Sequence, residues 1–216
     1  MEEELKEGGI NTKTWCEYTR RLLSELKLEK YWKENKVSLD EEKWINLLEE
    51  RIQQREEKQW LERVKRRDKL RTYVKFKRNL QKEKYLDIRD RFGVPELVRL
   101  RGGTNRLKIE KGRYSKTPAE ERVCEFCGTG QVEDELHFML ICPLYRDLRK
   151  VMWESVRSLL PQPCMIFADE DKFVVLMQAQ TSPIAKHVLK YVKQAMKVRR
   201  SIEKTREKEE DERRRI

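Results

Sequence analysis

The chain has 216 residues, with 50 Lys and Arg against 39 Asp and Glu and a net charge of +11 when both His are neutral. Charged residues make up 41% and apolar ones 38%, against roughly 25% and 45–50% in an ordinary soluble domain, so no single broad core is expected. No apolar run approaches the ~18 residues of a membrane span, and Met1-Glu2-Glu3-Glu4 is no basic-then-apolar leader; membrane-embedded and secreted classes are excluded, and an intracellular chain, nuclear or cytoplasmic, is expected.

The predicted elements follow in chain order. Tyr18, Leu22 and Leu26 form the stripe of a first helix. Ser38 and Glu41 have the spacing of a capping box, and Trp44, Leu47, Leu48 and Ile52 are the apolar stripe of the helix it opens. Neither Gly nor Pro interrupts Gln54 to Leu80, which predicts a long charged helix reaching as far as Asp90, until Gly93 and Pro95 break it. Leu97, Val98 and Leu100 predict a short helix ended by Gly102-Gly103. Thr104 to Ser115 alternates loosely among basic residues and predicts an extended connector. Thr117-Pro118-Ala119-Glu120 combines a capping hydroxyl, a first-turn proline and a glutamate, a helix start.

Further on, Leu144, Leu148, Met152 and Val156 step by four along an amphipathic helix that Pro161 and Pro163 end. Val174 to Met177 is a strand or a buried helix. Ser182-Pro183 opens a last helix with Ile184, Val188, Val192 and Met196 on one face. From Ser201 the mixed charge carries no apolar stripe and is a solvated helix or disordered. The expectation is a mainly α chain: a charged helical region over 1–92, a basic connector over 93–117, a Cys/His module over 118–160, a helical segment over 161–200 and a charged tail over 201–216.

The charge is unevenly placed. Residues 1–62 balance at −4, residues 63–113 at +13 and residues 114–216 at +2. Such a basic block suits a polyanion, most simply the phosphate backbone of RNA or DNA; the alternative is a solvated helix face neutralised by the acidic N-terminal part. Candidate phosphate contacts are Arg71, Lys75, Lys77 and Arg78, with Tyr73 and Phe76 interleaved, then Arg101, and Arg106, Lys108, Lys111 and Arg113 along the connector. Tyr73 and Tyr114 either stack on unpaired bases or belong to the core.

Five Cys in a reducing compartment are thiols or metal ligands before they are a disulfide framework. Cys124, Cys127, His137 and Cys142 follow the pattern Cys-x2-Cys-x9-His-x4-Cys. Three thiols and an imidazole are the full complement of a closed tetrahedral Zn2+ site, which leaves no open position for a catalytic water, so one structural zinc is expected. Gly128 and Gly130 permit the tight turn behind the first pair, and Glu133 to Leu140 predicts a helix carrying His137. The competing view makes the three Cys small core residues and His137 incidental. Cys16, Cys164 and His187 lie outside the pattern. Phe167-Ala168-Asp169-Glu170 has the outline of a polymerase metal box, but its second carboxylate is a Glu and no other Asp cluster supports it.

KLRTYVKFK at 69–77, EKYL at 83–86, RLRGGTNRLKIEKGRY at 99–114, PAEERVCEFC at 118–127 and EDELHFMLICPLYRDLR at 133–149 occur in this order, before a basic last helix. Over about residues 44–200 the run resembles the C-terminal region of non-LTR (LINE-type) retrotransposon reverse transcriptases. The resemblance implies a largely helical extension behind a polymerase, with a CCHC zinc module that helps grip template RNA and target DNA, its ligands at Cys124, Cys127, His137 and Cys142. The polymerase and endonuclease motifs are missing from this sequence, so no catalysis is expected, and the chain resembles a fragment of an element or a host gene derived from one.

Two functions remain open on these grounds: a non-catalytic nucleic-acid-binding module, and a helical interaction scaffold, self-associating or docking a polymerase domain through Trp15, Trp32, Trp44 and Trp60, with a purely structural zinc. A decayed element fragment without a selected role is a third.

Overall fold

The structure, a computed structural model, describes residues 14–33, 39–160, 168–179 and 181–215. Among these the fold is mainly α, and the single pairing of extended backbone is an isolated antiparallel bridge between Val123 and Val132. The chain divides into two units, Met1–Glu62 and Arg63–Ile216.

In the first unit, α1 (Trp15–Glu25) opens on a complete capping box: the Glu17 amide donates to Thr14 Oγ1 at 3.4 Å and the Thr14 amide to Glu17 Oε2 at 3.2 Å. The apolar stripe differs from the predicted one. Tyr18 is 69% exposed, and the buried residues are Leu23, Leu26 and Leu28. The reason is Lys27, at φ 60°, which turns the chain so that the Leu28 amide reaches the Leu23 carbonyl at 2.7 Å and α2 (Glu29–Lys33) folds back over that face. Tyr31 and Trp44 meet edge to face at 5.0 Å, and Trp44, Leu47 and Leu48 of α3 (Glu41–Lys65) pack on the same leucines. Asp40 caps α3 by accepting the Lys43 amide at 2.9 Å; Ser38 of the expected box lies outside the described residues, as do Pro161, Pro163, Cys164 and Phe167.

In the second unit the uninterrupted helix expected from Gln54 onward stops at Lys65. A 3-10 turn at Asp68–Leu70, the short α4 (Tyr73–Phe76) and a second 3-10 turn at Lys84–Asp87 follow. Packing overrides local preference here. Phe76 and Tyr85, both buried, lie nine residues apart and would point to opposite sides of a straight helix; the broken chain instead brings both rings onto the Arg101 guanidinium, at 4.5 and 4.9 Å.

Gly93 and Pro95, expected as breakers, begin α5 (Gly93–Arg101), where proline sits in a first turn whose amides have no helical acceptor. Its end at Gly102-Gly103 agrees with the sequence: Gly103 has φ 60°, and a Cβ there would lie 2.3 Å from the Lys69 carbonyl oxygen. The connector over 104–115 is not extended but contains α6 (Lys108–Tyr114). Leu107 and Ile109, which suggested alternation, are both buried at the helix start, and Gly112 leaves room for the Arg122 side chain, which a Cβ would approach to 2.6 Å. The start expected at Thr117 yields one 3-10 turn, Ala119–Glu121.

The remaining helices are α7 (Arg146–Val156), α8 (Asp169–Gln178) and α9 (Ser182–Arg215). Val174 to Met177 is therefore helical, and the tail from Ser201 to Arg215 is a solvated helix. Ile184, Val188, Val192 and Met196 are all buried, as their spacing predicts, against Leu97 and Leu100 of α5, Met152 and Val156 of α7 and Phe173 and Leu176 of α8. This contiguous core corrects the expectation drawn from composition. The few apolar residues are concentrated on inward faces, and at ~1.5–3 kcal/mol per fully buried large side chain they stabilise the unit although most of its surface is charged. Among the described residues no helix is long and apolar enough to cross a membrane.

Candidate metal centre

The Val123–Val132 bridge, with the Cys124 amide donating to the Gln131 carbonyl at 2.8 Å, closes a short loop that carries Cys124 and Cys127. Gly128 and Gly130, at φ 64° and 69°, make its reversals, a backbone region that favours glycine. The chain then enters a turn capped by Asp134, whose Oδ1 accepts the His137 amide at 2.7 Å. The expected α-helix over 133–140 gives way to a π-helical segment, His137–Ile141, in which the Cys142 amide reaches the His137 carbonyl at 2.8 Å. This resolves the His-x4-Cys spacing: a turn closed over five residues puts His137 and Cys142 on one side, where 3.6 residues per turn would separate them. Pro143 then starts a new 3-10 turn.

One ligand atom from each of Cys124, Cys127, His137 and Cys142 lies within 4.8 Å of all the others. Cys127 Sγ stands 3.5 Å from His137 Nε2. A tetrahedral ion with ligand bonds of about 2.0–2.3 Å requires ligand–ligand edges of about 3.5–3.8 Å, so these side chains fit a metal ion. His137 Nδ1 lies 3.2 Å from Gln131 Oε1, an outer partner that orients Nε2 toward the thiols.

Burial pushes the Cys124 and Cys142 thiols up, and it pushes His137 below its usual range against the pull of Asp134 and Glu133. At Cys127 burial is outweighed by hydrogen bonds from Thr129, its hydroxyl 3.1 Å away, and the thiol is lowered. A buried thiol that resists ionisation in an apolar setting is stabilised as thiolate by a dication among the sulfurs.

Behind Cys124, Glu133 Oε1 lies 3.6 Å from the sulfur, while Oε2 accepts the Lys108 amide at 2.7 Å. Arg199 of α9 pairs with the same carboxylate, donates to the Arg106 carbonyl at 3.1 Å and lies over the Phe126 ring. Glu133, Gln131 and Arg199 were not singled out by sequence. The sequence carries no signal for them: Glu133 stands in the acidic run Glu133-Asp134-Glu135 and Arg199 beside Arg200, and Arg199 is 66 positions from its partner.

The nine basic residues expected at a phosphate surface divide into two sets. Arg71 pairs with Glu110 at 2.8 Å and Glu135 at 2.9 Å. Lys77 is buried on Glu83 at 2.8 Å, and Arg101, 2% exposed, reaches the same carboxylate at 2.8 Å between its two rings. These three are committed inside the fold. Lys75 and Arg78 are exposed and carry no ion pair among the described residues, whereas Arg106 and Lys111 approach Glu203 at 4.0 and 2.9 Å, Lys108 pairs with Glu125 and Arg113 with Glu110 at 3.2 Å. Tyr73 is half-buried against Phe76, while Tyr114 is exposed. Asp169 and Glu170 sit in the exposed first turn of α8, where acidic residues complement the positive end of the helix dipole.

No protein-family model, curated protein or solved structure matches this chain. Its candidate site is a Cys3His cluster with the geometry of a metal centre.

Proposed function

We propose that the chain is a non-catalytic nucleic-acid-binding module in which Cys124, Cys127, His137 and Cys142 hold one structural Zn2+, in keeping with the resemblance to the C-terminal region of non-LTR reverse transcriptases. The donor set supports zinc: three soft thiolates and one imidazole in a closed cage suit a d10 ion and leave no position for substrate. The observation that carries the reading is the bond from the Lys108 amide to Glu133, because it fastens the basic stretch Arg106, Lys108, Lys111 and Arg113 to the carboxylate behind Cys124. With Lys75 and Arg78 these side chains supply phosphate contacts to RNA or DNA, at little base discrimination. Each neutralised phosphate steepens the fall of log affinity with log salt by about 0.9 on duplex and about 0.7 on single strands. The test is an anisotropy titration of the zinc-loaded chain at 50 and 200 mM salt; binding that is absent at both overturns the reading.

A second reading is favoured by Trp15 and Tyr18, which are 76% and 69% exposed side by side on α1. Large aromatics in that state suit a protein partner or a second copy. In that case light scattering on the eluting chain gives an oligomer insensitive to salt, and Trp15→Ala dissolves it.

A further inference from the structure

Phe92 is 62% exposed at the entrance to α5. Asp90 holds it there: its Oδ1 accepts the Phe92 amide at 3.0 Å and the Gly93 amide at 2.8 Å. Gly93 brings this corner against α9, since a Cβ there would lie 3.3 Å from Leu189 Cβ. The ring consequently faces the basic side of α9, with the Lys193 ammonium 5.6 Å and the Arg91 guanidinium 5.8 Å from its centroid. Both stand near the outer limit of a cation–π contact, about 6 Å, and leave much of the ring open.

Lys186, Lys190, Lys193 and Lys197 recur at steps of four, three and four along α9. At 100° per residue they fall within an arc of about 60°, over about 16 Å of helix, and the buried residues Val188, Leu189, Val192 and Met196 lie outside that arc. Lys186, Lys190 and Lys197 are exposed and carry no ion pair among the described residues. The carboxylates Asp90 and Glu96 near this face are already engaged, Asp90 by the two amides and Lys193, and Glu96 by Arg99 and Arg200 at 3.4 and 2.7 Å. None of these groups belongs to the basic stretch discussed above.

We propose that α5 and α9 together form a single-strand binding platform, on which Phe92 stacks an unpaired base while the α9 lysines track the phosphates of the same strand. The platform rests on the nucleic-acid reading and gives it a substrate class. A row of cations beside an exposed flat ring is the combination that single-stranded nucleic acid uses, because each unpaired base offers a face. Duplex bases have theirs covered by neighbours, so duplex can use the lysines but not the ring.

The experiment measures anisotropy of a labelled 20-nucleotide oligothymidine and of a duplex hairpin with the full chain at 50 mM salt. Phe92→Leu weakens single-strand binding by about fivefold or more, the lower end of what one stacked base contributes, and changes duplex binding less than about twofold; Phe92→Tyr restores the single strand. The triple reversal Lys186→Glu, Lys190→Glu and Lys197→Glu, all on exposed side chains, weakens both and flattens the salt slope. Single-strand affinity unmoved by Phe92→Leu, or by the triple reversal, overturns the platform. If it is lost instead in Lys75→Glu/Arg78→Glu alone, the platform fails and the nucleic-acid reading stands. No binding of either probe by the parent chain overturns both.

Discussion

Arg199 and Glu133 form an ion pair inside the second unit, their side chains 1% and 2% exposed, and the Glu133 carboxylate also stands 3.6 Å from Cys124 Sγ. The long C-terminal helix is thus joined to the loop that carries two of the metal ligands. Removing one partner of a buried pair strands the other charge, at a cost of about 3–5 kcal/mol. Arg199→Met is therefore expected to lower unfolding free energy in urea by that amount and to weaken metal binding by about 10–100-fold, as loss of an outer partner does. The double variant Arg199→Met/Glu133→Leu loses less than the two single variants added together, because no buried charge is left over.

This pair also shows what could be read in the sequence. The ligands were legible because Cys124, Cys127, His137 and Cys142 fall within one short segment and their spacing is itself the signal. The α9 core face was legible for the same reason, through the period of Ile184, Val188, Val192 and Met196. Glu133 with Arg199, and Glu83 with Arg101, are acid–base pairs whose partners were chosen by tertiary packing. So Arg101 passed for a surface cation, and the helix through Gln54 to Leu80 looked continuous where Phe76 and Tyr85 require a break.

Arg101 separates these two kinds of basic residue. It lies on the Phe76 and Tyr85 rings and on Glu83, and a desolvated cation–π contact alone contributes about 2 kcal/mol or more. Arg101→Leu is expected to lower the unfolding free energy by about that much while leaving the salt slope of nucleic-acid binding unchanged. Lys75→Glu/Arg78→Glu does the reverse, losing slope and keeping stability. Chemical denaturation and salt titration of the two variants side by side check the contrast.

Asp90 is held below its ordinary carboxyl value of 3.8, chiefly by the Gly93 amide, with further help from the Phe92 amide and Lys193. A depressed carboxyl stabilises the fold above its unfolded pKa, and that increment is lost as pH falls through the lower folded value. Asp90→Ala is expected to cost about 1 kcal/mol at pH 7, as a lost helix cap does. The difference from the parent chain shrinks below about pH 4, which urea midpoints measured from pH 7 to pH 3 follow directly.

Gly103 and Gly128 give a matched comparison, since both have positive φ, 60° and 64°. At Gly103 a Cβ would also meet the Lys69 carbonyl oxygen at 2.3 Å, whereas at Gly128 nothing lies within 4 Å. Gly128→Ala carries only the left-handed backbone penalty, about 1–2 kcal/mol. Gly103→Ala adds displacement of the backbone to that and is expected to be the more damaging by a further ~1–3 kcal/mol. Thermal melts of the two variants rank them.

Burial of Cys124 and Cys142 in the same core as α7 and α9 means that the cluster is part of the second unit's interior. Metal content of the full chain tests this most directly. After saturation with zinc and dialysis without chelator, elemental analysis is expected to find one zinc per chain, and less than about a tenth of that in Cys124→Ser and in Cys142→Ser, each with a cooperative unfolding transition weakened by several kcal/mol. A parent chain that retains no metal after that treatment, yet unfolds cooperatively with its helical content intact, contradicts the account.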